Sequence, residues 1–390
     1  MPFDFDEPID RRGTHSTKWD AVGRVLSDPA PDTIPMWVAD MDFRASPAVN
    51  EAVRALADHG VHGYFGDDSG YKKAVAAWLE KRHGWAPDPD WMVQTHGIVS
   101  ALGLAIQAYS EPGDGVVVFS PVYHMFANMV LANGRRLIES PLKQIQGRYE
   151  MDLDGLKGLI DKQTKLVLLC SPHNPGGRVW TADELIGLAD FCLANELTLV
   201  SDEIHQDLVF DNAEHHVTAK VAPQIADRLV TCVAGTKTFN IAGALTGTAI
   251  IPNPEMRDAF NARKMAAGLA ANNRFGMVVC EAAYENGEAW LDALLPYLQA
   301  NRDRFDAAVA ENMPGVRSMP LEATYLAWLD FSGTGLPQDE IYERIERKAR
   351  IAINRGDRFG TGGENWVRFN FACPRARLDD ALSRLIAAFA

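Results

Sequence analysis

Cysteine is sparse in this chain. Five occur in 390 residues: Cys170, Cys192, Cys232, Cys280 and Cys373. Their number is odd and no two form a CxxC pair. That excludes the disulfide framework of a small secreted domain and a thiolate zinc site, and it leads us to expect free thiols in a reducing cytoplasm. Long apolar runs are also lacking, so no bilayer-spanning helix and no membrane partner are expected. The stretch Met1–Asp20 is polar, without the basic start and apolar core of a secretory leader. Positive charge is in deficit, with 38 Lys and Arg against 52 Asp and Glu and a net charge of −14. Nucleic acid is thereby excluded as a main partner, because phosphate backbones need a basic surface. Repeats, low-complexity tracts and the Walker and dinucleotide glycine patterns are missing as well.

What remains is an ordinary globular composition, long enough for two domains or one large one. From about residue 45 to 285, short apolar runs alternate with helical patterns. Val116–Phe119, Lys165–Cys170, Leu197–Ser201, Leu229–Val233 and Thr246–Ile251 read as strands buried on both faces. Ser46 with Pro47 marks one helix start, and Thr181 to Glu184 reads as a capping box. Such alternation predicts an α/β fold, a three-layer domain whose mixed, mainly parallel sheet is covered by helices. Beyond residue 285 long helical stretches dominate, such as Trp290–Ala310, with Tyr325–Phe331 as a strand between them. The chain ends in an amphipathic helix that aligns Leu378, Leu382, Leu385 and Phe389. The expected organisation is an N-terminal arm at 1–44, a major domain at 45–285 and a smaller C-terminal α/β domain at 286–390, with the arm packed on the latter.

Six segments carry chemistry-bearing residues. Ala234–Asn240 places Lys237 just after a strand. A free lysine amine has a pKa of about 10.4, and a site that lowers it permits imine formation and proton transfer. Ser201–His205 follows another strand; its Asp202 can hold a cationic ring nitrogen, and Asp202, Glu203 and His205 are also close enough in sequence for a metal. Thr95–Ser100 puts Gly97 and Ile98 at a helix start, where backbone N–H groups favour an anion. Tyr123 after Val116–Phe119 can stack on a planar ring or sit in the core. Asn174 lies in a Pro-Gly turn. Arg368, in the apolar strand Trp366–Asn370, suits a carboxylate grip or a structural ion pair. His215 and His216 read as solvated loop residues. Taken singly, each segment has an ordinary structural explanation.

Their order and spacing together carry more. An aromatic, then Asn-Pro-x-Gly, then Asp-x-x-His and a lysine 35 residues after Asp202 resemble the fold-type I enzymes that use pyridoxal 5′-phosphate (PLP). The flanking text is closer still. Arg11–Thr14, Lys18–Asp20, Met36–Phe43, Lys237–Asn240 and Tyr325–Asp330 resemble the MalY/PatB group of cystathionine β-lyases, over nearly the whole chain. The resemblance implies the aspartate-aminotransferase-like fold and a PLP-dependent carbon–sulfur lyase, with Lys237 as the Schiff-base lysine and base at Cα. It further implies Asp202 at the pyridine nitrogen, Asn174 and His205 near the ring hydroxyl, and Tyr123 stacked on the ring. Gly97, Ile98 and Thr236 would hold the phosphate. Arg368, Asn174 and the Ala39 backbone would hold the substrate carboxylate. Tyr64 would reach the neighbouring subunit's phosphate, which implies a homodimer with shared sites. Three positions depart from common patterns: Ala234 replaces a frequent serine, His62 a frequent phenylalanine, and Leu245 the phosphate-binding arginine of aspartate aminotransferases. The last favours lyase chemistry, α,β-elimination from L-cystathionine or a related cysteine S-conjugate. An aminotransferase is the alternative, and a non-enzymatic PLP-sensing regulator ranks below it.

Overall fold

The computed structural model describes residues 3–211 and 213–390. Its strands are β1 (Ile34–Pro35), β2 (Met92–Thr95), β3 (Gly115–Ser120), β4 (Arg136–Pro141), β5 (Lys143–Ile145), β6 (Arg148–Glu150), β7 (Thr164–Cys170), β8 (Thr198–Asp202), β9 (Leu229–Val233), β10 (Gly247–Ile250), β11 (Arg317–Ser318), β12 (Leu326–Asp330), β13 (Ile351–Ala352), β14 (Asn354–Arg355) and β15 (Trp366–Asn370).

Seven of them make one sheet in the order β2-β10-β9-β8-β7-β3-β4. Only β10 runs against its neighbours; β9, β8, β7, β3 and β4 are parallel. The pleat sends successive side chains to opposite faces, and both faces here are apolar. Val116, Val118, Leu166 and Leu168 pack in one cluster under the helix Ile98–Tyr109, while Val117, Phe119, Val167 and Leu169 pack in another under the helix Ala182–Ala194. This double burial explains the uninterrupted Val/Leu runs in the sequence, since each fully buried aliphatic side chain contributes about 1.5–3 kcal/mol.

Local signals fix the helix ends. Ser46 Oγ accepts the Val49 N–H with Pro47 at the first helical position of Pro47–His59, and the Thr181–Glu184 capping box forms in full. The second sheet is antiparallel, ordered β11-β12-β15-β14, with Trp328 stacked on Trp366 at 5.3 Å across β12 and β15. It packs with the long helix Glu288–Asn312 and the C-terminal helix Arg375–Phe389. The N-terminal segment joins this part of the molecule through β1, which pairs in parallel with β13. Among the described residues, no helix is long and apolar enough to cross a membrane.

Candidate active site

Parallel strands carry their functional residues at the carboxyl edge, and that edge holds most of the expected site. Tyr123 follows β3, Asn174 follows β7, Asp202 ends β8 with His205 just beyond, and Lys237 follows β9. Gly97 follows β2, which runs in the same direction as β9 because both oppose β10. A cavity of about 540 Å³ opens there, lined by Ala39, Gly97, Ile98, Tyr123, Asn174, Asp202, His205, Thr236, Lys237 and Arg368. Tyr64 is the exception among the expected residues: it is 91% exposed and lies outside this cavity. His62 is outside it too and packs near Phe275, ring centroids 5.2 Å apart.

Lys237 Nζ donates to the Ala39 carbonyl at 2.5 Å, and Tyr325 Oη donates to the same oxygen at 2.9 Å. Burial pushes the lysine down to about 8, with Arg368 adding to the fall and Asp40 and Asp202 opposing it. The Asp202 carboxyl is buried and accepts the Ile204 N–H at 3.2 Å. Burial raises it to about 7, against the pull of that N–H and of Lys237. His205 is held neutral, at about 3, by burial and by the positive charges of Lys237 and Arg368. Its Nδ1 is buried without a partner.

Arg368 makes no ion pair with a carboxylate among the described residues. It is 3% exposed and is held only by neutral acceptors: Asn174 Oδ1 at 2.9 Å, the Trp37 carbonyl at 2.9 Å and Asn354 Oδ1 at 2.6 Å. Its Nε has no partner among the described residues, and burial pulls its pKa to about 10. A guanidinium buried without a counterion is costly unless an anion completes it.

Glu203, beside Asp202 in sequence, is turned away from the cavity. Its carboxylate takes Ser201 Oγ at 2.8 Å, the Thr218 N–H at 3.1 Å and His215 Nε2 at 3.0 Å. His215 is therefore buried, not solvated as its polar surroundings suggested. The sequence reading also missed the groups that hold Ala39 in place. Asn370 Nδ2 donates to the carbonyls of Val38 and Asp40, both at 2.6 Å. The Asn240 side chain accepts the Met41 N–H and donates to the Phe43 carbonyl. Arg11 clamps Asp40 with two hydrogen bonds and reaches Asp42, which also takes Lys18 and Trp19. The only signal was that all these residues fall within the motifs already singled out.

The family model "Aminotransferase class I and II" matches residues 32–385. The chain is 42% identical to cystathionine beta-lyase PatB of Bacillus subtilis, over 98% of this chain and 99% of that protein. It is 34% identical to protein MalY of Escherichia coli, over 98% of each. Among solved structures, cystalysin from Treponema denticola, which contains a pyridoxal 5′-phosphate cofactor, superposes with a TM-score of 0.95 at 36% identity, covering 100% of this chain and 99% of that one. With its site at the carboxyl edge of a seven-stranded, mainly parallel sheet, the chain belongs to the class I and II aminotransferase family of PLP-dependent enzymes and, within it, to the MalY/PatB group of cystathionine β-lyases.

Proposed function

We propose that the protein is a PLP-dependent carbon–sulfur β-lyase acting on L-cystathionine or related cysteine S-conjugates. The observation that carries this reading is the meeting, in one cavity, of a half-buried amine (Lys237), a buried carboxyl (Asp202) and a buried guanidinium without a counterion among the described residues (Arg368). The cavity fits the cofactor. Gly97 has a φ of +84° and open space where a Cβ would stand, so its N–H and that of Ile98 are free to cradle a phosphate beside Thr236. Asp202 has no cation of its own and suits a protonated ring nitrogen. Tyr123 can cover the ring, with Asn174 and His205 toward its hydroxyl.

Held by Lys237, Asp202 and the Gly97 and Ile98 amides, PLP would supply the electron sink that acidifies the substrate's Cα proton. Arg368 holds the α-carboxylate, giving up one or more neutral acceptors for a charged one. Lys237 Nζ takes the Cα proton, because burial leaves much of the amine uncharged near pH 8. The Ala39 carbonyl, fixed by Tyr325 and Asn370, aims that amine. Lys237 then returns the proton to the departing sulfur. In balance, RS–CH2–CH(NH3+)–COO− and water give RSH, pyruvate and ammonium.

Residues 1–44, 45–285 and 286–390 supply Ala39, Lys237 and Arg368 in turn, so we take these spans as arm, major domain and small domain meeting at the site. A homodimer with shared sites is supported by exposed apolar side chains, Val53, Val61, Tyr64, Leu245 and Phe275 among them. Of these, Leu245 lines the cavity, where a second copy's Tyr64 would enter. The test is pyruvate release from L-cystathionine over many turnovers with no keto acid added. Fast amino transfer that needs a keto acid, with no pyruvate from any cysteine S-conjugate, overturns the lyase reading in favour of an aminotransferase.

A further inference from the structure

We propose that Arg24 selects cysteine S-conjugates whose sulfur substituent ends in an anionic group. The proposal rests on the lyase reading and names its substrate class.

The charges that line the cavity are few. Lys237, Arg368 and Arg24 are its Lys and Arg residues, and Asp202 is its one carboxylate among the described residues. The proposed reaction uses three of the four: Arg368 for the α-carboxylate, Lys237 for the proton, Asp202 for the ring nitrogen. Arg24 is left over. It is exposed, and it pairs with no carboxylate among the described residues.

Packing decides which end of the cavity Arg24 serves. It closes a short 3-10 helix, Val22–Arg24. Val22 and Leu26 pack in a small cluster with Ala352 and Trp37. The Trp37 carbonyl in turn accepts from Arg368. Arg24 therefore stands beside the carboxylate grip and not at the Gly97–Ile98 end, where the phosphate belongs. The Thr17 hydroxyl is exposed on the same rim. Asn354 contributes too: its Oδ1 is spent on Arg368, while its Nδ2 donates to no described residue.

The stereochemistry of Cα sends the substituent the same way. Its nitrogen goes to the cofactor, its carboxylate to Arg368, and its proton faces Lys237. The remaining bond, to Cβ and sulfur, is left to point toward the open rim. A substituent two or three atoms beyond sulfur would end toward Arg24, Thr17 and Asn354; apart from Asp202, none of the residues lining the cavity is a carboxylate. On a chain of net charge −14, a rim with a free guanidinium is a local reversal of sign, which favours an anionic end group over a neutral one.

The test uses the PLP-loaded enzyme and two substrates of equal length, S-(2-carboxyethyl)-L-cysteine and S-(2-carbamoylethyl)-L-cysteine, which differ in end-group charge. The ratio of their kcat/KM values should favour the carboxylate in the wild type. It should fall about five- to tenfold in Arg24→Ala, as expected for one partly solvated charge pair, and be largely kept in Arg24→Lys. Calorimetric binding of two ligands without sulfur, 2-aminoheptanedioate and 2-aminoheptanoate, should show the same Arg24-dependent preference. An equal ratio in wild type and Arg24→Ala, or a wild-type preference for the amide, overturns the proposal. If neither conjugate yields pyruvate in the wild type, the lyase reading falls. Calorimetry then decides the role of Arg24 alone: a preference for the dicarboxylate that survives Arg24→Ala refutes it.

Discussion

At the scale of single residues, the site is built from charges held where water cannot reach them. Asp202 shows the consequence most directly. Its carboxyl sits near 7 in the folded chain because burial disfavours its charge, against a value near 3.8 when unfolded. A raised acid makes the folded state bind more protons between these two values, so stability falls as pH rises from about 4 to 7 and stays low above 7. A shift of this size corresponds to roughly 4 kcal/mol. Cofactor-free Asp202→Asn should therefore melt above cofactor-free wild type at pH 8, and the gap should close as pH falls to about 4. Added PLP should reverse the order, because only the wild type gives the ring nitrogen a counter-charge. Thermal melts with and without PLP at pH 8 and pH 4 check both signs; a variant less stable than wild type without cofactor at pH 8 would refute the account.

At the scale of elements, the segment Met36–Phe43 lines the cavity at Trp37, Val38 and Ala39 and sets the Ala39 carbonyl against Lys237. Its anchor is Asp42. Burial alone would raise this carboxyl, but Lys18, Trp19, Arg377 and Arg11 outweigh it and hold it at about 2. Those partners come from the arm and from the C-terminal helix Arg375–Phe389, so one carboxylate ties three segments together. Asp42→Asn takes from Lys18, which is 1% exposed, the nearer of its two carboxylates and leaves Asp40 at 3.9 Å, and it should cost about 3 kcal/mol at pH 7. A depressed acid stabilises the fold above its unfolded value and loses that effect as pH falls through its folded one. The gap between wild type and variant should thus narrow from about pH 4 toward pH 2 in denaturant titrations, and a constant gap would contradict the charge account.

This network also marks where the sequence stopped being informative. Leu229–Val233 matched β9 residue for residue, because an apolar run between turn signals leaves a buried strand few alternatives. The edge strand β4 is half-buried, and it carries no such run. Site residues that act through a distinctive side chain at a strand end, such as Lys237 and Asp202, were legible. The Trp37 carbonyl that takes Arg368 was not, because every residue has one, and the Ala39 backbone was named only through the resemblance, for the substrate carboxylate and not as the acceptor of Lys237 Nζ. His215 looked solvated because its partner, Glu203, is brought to it only by the fold. Arg24 in a polar arm was equally silent, since its position depends on Val22 packing with Trp37 and Ala352.

At the scale of the whole molecule, a single chain leaves Tyr64, its largest exposed aromatic, outside the cavity. The loop that carries it follows the helix Pro47–His59, which packs against Arg274–Asn286, so the apolar face around it is built on paired helices. A twofold pairing of such a face would be self-complementary: each copy would give Tyr64 to the other's site and receive one in return. Mixing Tyr64→Ala with Lys237→Ala protomers separates this arrangement from the alternative. Neither parent should be appreciably active at limiting PLP. In a mixed dimer with shared sites, one site receives an intact Lys237 and an intact Tyr64, while the other carries both defects. Random reassortment makes about half of the dimers mixed, so about a quarter of the wild-type sites should be restored. If Tyr64 served only its own subunit, every site would keep one defect. Activity would then never exceed the average of the two parents, however long the mixture was equilibrated.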